Sequence, residues 1–205
     1  MTQPVTIYLF RHAQSQGNVK KIVGGNLPLT ELGDRQAQDC AKHFSTIDYR
    51  AVYSSDRLRA QQTARYFAQA KGLTVQIDQD LRERDYGVYE NRDDKDYKEE
   101  VRGLFPVFDR LPPAAKMEFK YYPSYETSAS MVKRFRAALI RIAQANPGAT
   151  VMVVAHERAI WLFLHAIGFI KDYKIMFDCI ENTGWVKLVY DQTFRVLDSY
   201  ELKLG

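Results

Sequence analysis

Val5-Thr-Ile-Tyr-Leu-Phe-Arg-His12 carries the strongest structural signal in the sequence, because a run of β-branched and aromatic residues ends in two side chains capable of chemistry. The run from Val5 to Phe10 predicts a short buried strand. Arg11 and His12 then lie at its carboxyl end, which is where open α/β sheets bind their ligands. The stretch therefore predicts an α/β fold with a functional site at the tip of the first strand.

Beyond this stretch, strand patterns alternate with helical patterns along the chain. Further strands are predicted at 51–53, 73–77, 150–155, 185–190 and 194–200, and helices at 30–44, 57–69, 127–145 and 157–167. Thr30 is the candidate cap of the first helix, and Ser55 or Asp56 that of the second. Such alternation implies a three-layer α/β/α architecture with a mostly parallel central sheet. The last two strands flank a turn at Asp191-Gln192 and are expected to make the sheet mixed.

Residues 91–125 interrupt this alternation. The segment is charged at first and then carries four prolines with aromatic residues between them. It is too short to form a second domain, so we expect one domain over residues 1–205 with a small inserted excursion. The charge run from Asp93 to Glu100 is expected to be a solvated helix face.

Composition limits the class of protein. The chain has 205 residues, 46% of them hydrophobic, and a net charge of +4 that is spread along the sequence. No groove-binding or base-stacking motif accompanies that charge, so a nucleic-acid partner is not expected. No apolar run is long enough to span a bilayer, and no leader pattern precedes the first strand. Two distant cysteines predict neither a disulfide framework nor a zinc site, and we expect a cytoplasmic protein without a membrane partner.

Four blocks of sequence carry the candidate chemistry. They are Arg11-His-Ala-Gln-Ser-Gln-Gly-Asn18, Tyr53-Ser-Ser-Asp-Arg-Leu-Arg-Ala-Gln-Gln-Thr-Ala64, Leu81-Arg-Glu-Arg-Asp-Tyr-Gly87 with Glu90, and Val153-Val-Ala-His156, after which Asn182-Thr183 follows. In this order they resemble the signature of the histidine phosphatase, or phosphoglycerate-mutase-like, superfamily, and the resemblance covers residues 5 to 190. It implies a phosphoryl-transfer enzyme in which a histidine is transiently phosphorylated.

The resemblance assigns catalytic roles to five residues. His12 is the expected nucleophile, Glu83 the expected acid and then base, and His156 is expected to sit protonated against the phosphate. Arg11 and Arg59 are expected to hold the phosphate. Arg59 is preferred to the nearby Arg57 because it directly precedes Ala and stands four residues before Thr-Ala. The physical chemistry agrees with these roles, since a phosphoryl group in transfer spreads negative charge over its oxygens and guanidinium groups bind such oxygens bidentately.

Five further residues are expected to contact substrate. They are Ser15, Asn18, Arg84, Tyr86 and Glu157. Arg84 and Tyr86 belong to Glu83-Arg-Asp-Tyr-Gly87, which is similar to the substrate-holding Glu-Arg-x-Tyr-Gly of mutases. Glu157 departs from the family pattern, in which Gly follows the second histidine, and its carboxylate is expected to weaken anion binding or to act only as a helix cap.

The expected reaction is hydrolysis of a small phosphorylated metabolite without a metal or other cofactor, since arginines and histidines supply the positive charge. A mutase remains open because it shares the phosphohistidine chemistry. A phospho-ligand binding module, suggested by Glu157, and a phosphoprotein phosphatase are also open. The oligomeric state is not predicted. Candidate substrate contacts on the excursion are Arg102, Lys116, Lys120, Tyr121 and Tyr122, whereas His43, His165 and the cysteines are expected to be structural.

Overall fold

A computed structural model describes residues 3–171 and 178–203. Within these residues one sheet contains the strands β1 Val5–Arg11, β2 Ala51–Ser54, β3 Val75–Ile77, β4 Thr150–Ala155, β5 Ile180–Asp191 and β6 Thr193–Leu202. The helices are α1 Gln16–Lys20, α2 Glu31–His43, α3 Leu58–Lys71, α4 Asp94–Gly103, α5 Phe105–Asp109, α6 Pro113–Glu118, α7 Ser128–Ala145 and α8 Glu157–Ala166. Two single 3₁₀ turns, Gln79–Leu81 and Gly87–Tyr89, flank the third sequence block, which is otherwise irregular as predicted.

The sheet is mixed, with strand order β3-β2-β4-β1-β5-β6. β1, β2, β3 and β4 are parallel, while β5 and β6 are antiparallel to their neighbours. Arg11 pairs with Ala155, so the first strand and β4 end side by side and bring His12 close to His156. The predicted fold class, a three-layer α/β fold with a mostly parallel sheet, is confirmed.

Helices cover both faces of the sheet, because successive side chains of a strand point to opposite faces. Ile7 and Leu9 are buried in a core that includes α7 and α8. Tyr8 and Phe10 are buried on the other face among residues of α2 and α3. A central strand buried on both faces must be nearly all apolar, which explains the composition of β1.

The excursion at 91–125 contains α4, α5 and α6, and its buried aromatic residues share a core with Val23, Tyr86 and Tyr89. The prediction that Asp93 to Glu100 is only a solvated face is wrong for one side of α4. Tyr97 and Val101, one helical turn apart, are 8% and 1% exposed. Their spacing places both on one buried stripe of the helix. The residues between them are charged, so this apolar stripe was not recognised from the sequence.

Two local predictions need correction. Neither Ser55 nor Asp56 caps α3: its N-cap is Arg57, which makes no side-chain cap bond, and Asn26 instead accepts from Leu58 N at 2.7 Å. β5 begins at Ile180, five residues before the predicted strand. The ladder between β5 and β6 shifts register over this interval, and Thr183 has φ of +62°, so the irregular start of the strand lacks the alternating pattern.

Candidate active site

His12 lies directly after β1, and its hydrogen bonds fix its tautomer. Nδ1 lies 2.7 Å from the carbonyl oxygen of Ala13, which can only accept, so Nδ1 carries the proton. Nε2 lies 3.0 Å from Nε of Arg59, which can only donate. Nε2 therefore presents its lone pair toward Arg59 and is the nucleophilic atom of the ring.

His12 is also kept uncharged. It is 4% exposed. Burial lowers its pKa well below the usual value, and the positive charges of Arg59 and Arg11 lower the pKa further. A neutral imidazole with a free lone pair is the form that can attack phosphorus.

Arg59 is placed by the first turn of α3 and is 6% exposed. Its Nη1 donates to the carbonyl oxygen of Gly25 at 2.8 Å. Burial lowers its pKa to about 10, so the guanidinium stays charged at neutral pH. Arg57 lines a different surface cavity, so the structure brings Arg59, as expected, and not Arg57 to His12.

Arg11 is tied to two other segments. Its Nη1 donates to the carbonyl oxygen of Ile180 and lies 3.2 Å from Oε2 of Glu157. The other carboxylate oxygen of Glu157 accepts from the backbone N of Cys179 at 2.7 Å. Glu157 therefore does more than cap α8, because it partly neutralises an arginine expected to hold phosphate.

His156 is fully buried at the end of β4, and its ring centroid lies 5.2 Å from that of His12. Nε2 lies 2.8 Å from Oγ of Ser55, and in the described part of the chain Nδ1 has no hydrogen-bond partner. Burial lowers the pKa of His156 well below its usual value, and Arg59 and His12 add to this. The imidazole is thus neutral unless an anion lies beside it, and a bound phosphate would favour the protonated form.

Glu83 is held at the pocket by backbone N–H groups from two segments. Oε1 accepts from Arg84 N at 3.0 Å and from Ala159 N at 3.1 Å, and Oε2 accepts from Arg158 N at 3.1 Å. Two of these donors belong to the first turn of α8, where unpaired N–H groups favour a carboxylate. The carboxylate is therefore fixed in position, although it comes from an irregular loop.

Ser15 and Asn18 form a reciprocal cap at the start of α1. Oδ1 of Asn18 accepts from the N and the Oγ of Ser15, at 2.8 and 2.9 Å. This arrangement leaves the Asn18 amide group as the donor that a ligand could use. Asn182 belongs to the Asn-Thr pair that matched the family pattern, but the sequence assigned it no role. It donates to the carbonyl oxygen of His12 at 3.0 Å.

Arg84 and Tyr86 point to different places. Arg84 is 6% exposed, donates to Oη of Tyr125 at 3.0 Å and to Oγ of Ser128 at 2.6 Å, and does not line the pocket beside His12. The structure therefore does not bring Arg84 to the pocket, where the sequence predicted a contact with substrate. Tyr86 does line that pocket, and burial, followed by the negative charge of Glu83, raises its pKa well above the usual value.

These side chains surround a pocket of about 160 Å³. Its lining includes eight of the ten predicted site residues, namely Arg11, His12, Ser15, Asn18, Arg59, Glu83, Tyr86 and Glu157. His156 is not part of this lining but packs edge-on against His12, and Arg84 lies outside. Sequence reasoning missed Arg158 and, from α4, the residues Asp94, Tyr97 and Lys98, all of which line the pocket. None of the five residues proposed on the excursion does so, namely Arg102, Lys116, Lys120, Tyr121 and Tyr122.

Neither a metal-binding cluster nor a membrane-spanning helix occurs in residues 3–171 and 178–203. Cys40 and Cys179 are free thiols, and burial raises the pKa of both. His43 is exposed, and His165 contacts the carbonyl oxygen of Ile170 at 2.9 Å. These four side chains lie outside the pocket.

Proteins with similar sequences are named as mutases. The chain is 30% identical over 163 residues to a protein named "Probable phosphoglycerate mutase GpmB" from Cronobacter sakazakii, covering 78% of this chain and 74% of that protein. It is 32% identical over 165 residues to the protein of the same name from Yersinia pestis, again covering 78% and 74%.

Solved structures with similar folds include both mutases and phosphatases. A phosphoglycerate mutase from Bacillus anthracis matches with a TM-score of 0.80 and 23% identity, covering 99% of this chain and 95% of that one. A mycobacterial glucosyl-3-phosphoglycerate phosphatase matches with a TM-score of 0.78 and 20% identity, covering 98% and 100%. A phosphoserine phosphatase from Entamoeba histolytica matches with a TM-score of 0.75 and 19% identity, covering 95% and 96%. At these identities the likeness shows the shared fold.

The family model of the histidine phosphatase superfamily (branch 1) matches residues 7–203, which include the whole pocket. The order of the four sequence blocks, the sheet that gathers them and the paired buried histidines agree with that match. This chain belongs to the histidine phosphatase superfamily, branch 1.

Proposed function

We propose that the protein is a cytoplasmic phosphatase that hydrolyses a small phosphomonoester through a phosphohistidine on His12. The observation that carries the proposal is the tautomer of His12, whose Nδ1 donates to Ala13 while Nε2 presents a lone pair beside Arg59. A buried, neutral imidazole held in this way is a nucleophile with a fixed direction of attack.

The reaction proceeds in two displacements. Nε2 of His12 attacks phosphorus and the bond from phosphorus to the leaving oxygen breaks. Glu83, which takes up a proton when the dianionic substrate lies beside its carboxylate, donates that proton to the leaving oxygen. Glu83, now a carboxylate, takes a proton from water, whose oxygen attacks the phosphohistidine and releases phosphate. The Nε–H of Arg59 must leave Nε2 before the first attack, and a phosphate oxygen is the natural new acceptor.

Fixed positive charge stabilises both transition states. Arg59 and Arg11 line the pocket, and His156 packs edge-on against His12. The buried Nδ1 of His156 and the buried Nε of Arg11 have no partner among the described residues, so an incoming phosphate would satisfy them. Preorganised donors of this kind usually supply the largest part of catalysis.

A mutase is the second candidate, because the similar sequences carry that name. The position of Arg84 favours the phosphatase. In mutases the corresponding arginine is expected to help hold the substrate, whereas here it is bonded to Tyr125 and Ser128 outside the pocket.

Purified protein assayed on sugar phosphates, phosphoglycerates, nucleotides and phosphopeptides separates the candidates. Release of inorganic phosphate supports the phosphatase, and phosphoglycerate isomerisation without it supports the mutase.

Hydrolysis of a generic aryl phosphate is expected to continue in excess EDTA with magnesium omitted. The reason is that arginines and histidines supply the charge that a metal supplies in other phosphoryl-transfer sites. Phosphate release measured with and without chelator checks this. Complete loss that added metal restores is the contradicting result.

Glu83→Gln is expected to slow the hydrolysis of an alkyl phosphate by ~10² to 10⁴-fold. Hydrolysis of an aryl phosphate, which has a good leaving group, should slow much less. The reason is that a poor leaving oxygen needs the proton that glutamine cannot give. Steady-state kcat/KM on both substrates is the measurement, because it reports the phosphorylation of His12 and not the later hydrolysis of the phosphohistidine, which both substrates share. Asp85→Asn, an exposed change in the same loop, is the matched control and should alter neither rate. Equal losses on both substrates count against Glu83 as the acid.

Glu157→Gly is expected to lower KM for simple dianionic phosphates about threefold to tenfold, with a smaller change in kcat, because the carboxylate competes with phosphate for Arg11. Glu157→Gln separates charge from packing, since its amide oxygen can still accept from Cys179 N. It should lower KM in the same direction. If KM stays unchanged in both variants across the panel, Glu157 is only a helix cap.

A further inference from the structure

We propose that Arg134 is a positioning residue that acts through Glu83. This inference rests on the proposed function, in which Glu83 is the acid and then the base. Arg134 lies on α7, outside the lining of the pocket beside His12, and none of the four sequence blocks contains it. Its side chain nevertheless reaches the backbone of the loop that carries Glu83.

The contacts of Arg134 with this loop are to backbone carbonyl oxygens. Nη1 donates to the oxygens of Asp80 and Arg82 at 2.9 and 2.8 Å, and Nη2 donates to the oxygen of Glu83 itself at 2.9 Å. Asp80 belongs to the first 3₁₀ turn, and Arg82 and Glu83 lie between the two turns. Among the described residues, none of the three belongs to a strand whose ladder could satisfy its carbonyl. One guanidinium group therefore replaces the ladder that would otherwise hold this backbone.

Glu126 completes the arrangement from the end of the excursion. Its two carboxylate oxygens accept from Nε and Nη2 of Arg134, both at 2.7 Å. The backbone N of Glu126 donates to the carbonyl oxygen of Asp85 at 3.0 Å, and Oε2 of Glu126 accepts from Asp85 N at 3.1 Å. The loop is thus fastened on both sides of Glu83.

All five N–H donors of Arg134 are used in these bonds. This count explains why the residue is an arginine, because lysine has three donors and no planar fork. The carboxylate of Glu83 is held by α8 and its carbonyl by α7, so the residue is fixed from two helices. A loss of one of these anchors moves the carboxylate relative to the leaving oxygen, and a misplacement of about 1 Å can cost on the order of 10²-fold in rate.

Arg134→Gln tests the proposal. We expect kcat/KM for an alkyl phosphate to fall about 10- to 100-fold and kcat/KM for an aryl phosphate to fall much less, with KM for the alkyl phosphate nearly unchanged. Arg134→Lys keeps part of the donor set, so it should show the same difference between the two substrates with a smaller loss of rate. It also provides a folded variant if Arg134→Gln is unstable. Arg136→Gln, exposed on the same helix, is the matched control and should leave both rates unchanged.

A double variant separates positioning from general stabilisation. In a Glu83→Gln background, Arg134→Gln should reduce kcat/KM for the alkyl phosphate by no more than about twofold, because its effect passes through a group already removed. Equal losses on both substrates, or a full additional loss in the Glu83→Gln background, overturn the proposal. If Glu83→Gln itself does not distinguish the substrates, the proposed role of Glu83 fails. If Glu83→Gln distinguishes them and both Arg134 variants do not, only the role of Arg134 fails.

Discussion

Replacing His12 with alanine is expected to reduce turnover on the order of 10⁶-fold, the loss typical when a nucleophile is removed from a covalent mechanism. No other imidazole can take its place. His156 is not among the pocket-lining residues and is bonded to Ser55, while His43 and His165 lie outside the pocket. The measurement is kcat on an aryl phosphate, for which leaving-group protonation matters least.

His43→Ala is the matched control, because His43 is exposed on α2 and should be dispensable. Circular dichroism of both variants excludes unfolding as the cause of a loss. Retention of more than a few per cent of activity by folded His12→Ala contradicts the covalent mechanism.

Replacing Arg59 with glutamine is expected to lower kcat/KM by about 10³ to 10⁵-fold, the range found when an arginine that stabilises a phosphoryl transition state is removed. Arg59 also lowers the pKa of His12, so its loss raises that pKa. Because the nucleophile must be neutral, the acidic limb of the pH–rate profile should move to higher pH in Arg59→Gln.

Arg57→Gln is the control for this experiment, since Arg57 stands two residues away and faces another cavity. It should change kcat/KM by less than about threefold, as expected for a surface charge. A larger loss in Arg57→Gln than in Arg59→Gln contradicts the assignment of the phosphate-holding arginine.

The strands that are marked by an uninterrupted apolar run could be predicted from the sequence. β1 and β4 are predicted to within one residue, because their apolar runs are buried on both faces of the sheet. Since parallel strands end at the same edge, His12 and His156 meet as expected. Arg59 reaches the same point because the first turn of α3 begins beside that edge.

Other features depend on contacts between distant segments and left no local pattern. Nothing near Arg158 or Arg134 indicates a link to Glu83, because those bonds exist only once the loop that carries Glu83 packs against α7 and α8. Arg84 matched a motif, yet the partners that take it out of the pocket belong to the excursion and to α7. The sequence predicted substrate contacts among the basic and aromatic residues of the excursion. The part of the excursion that lines the pocket is instead the side of α4 that carries Tyr97.

The phosphorylated enzyme itself is the most direct measure of the central claim that Nε2 of His12 carries the phosphoryl group. Wild-type protein mixed with an aryl phosphate and quenched in alkali, which preserves phosphohistidine, should yield a peptide containing His12 with the mass of one added phosphoryl group. The same peptide from Glu83→Gln should accumulate more of it, because water is activated more slowly, and His12→Ala should yield none. Rapid turnover by wild-type enzyme with no phosphorylated His12 at any quench time, or a phosphoryl group found on another residue, would contradict the account.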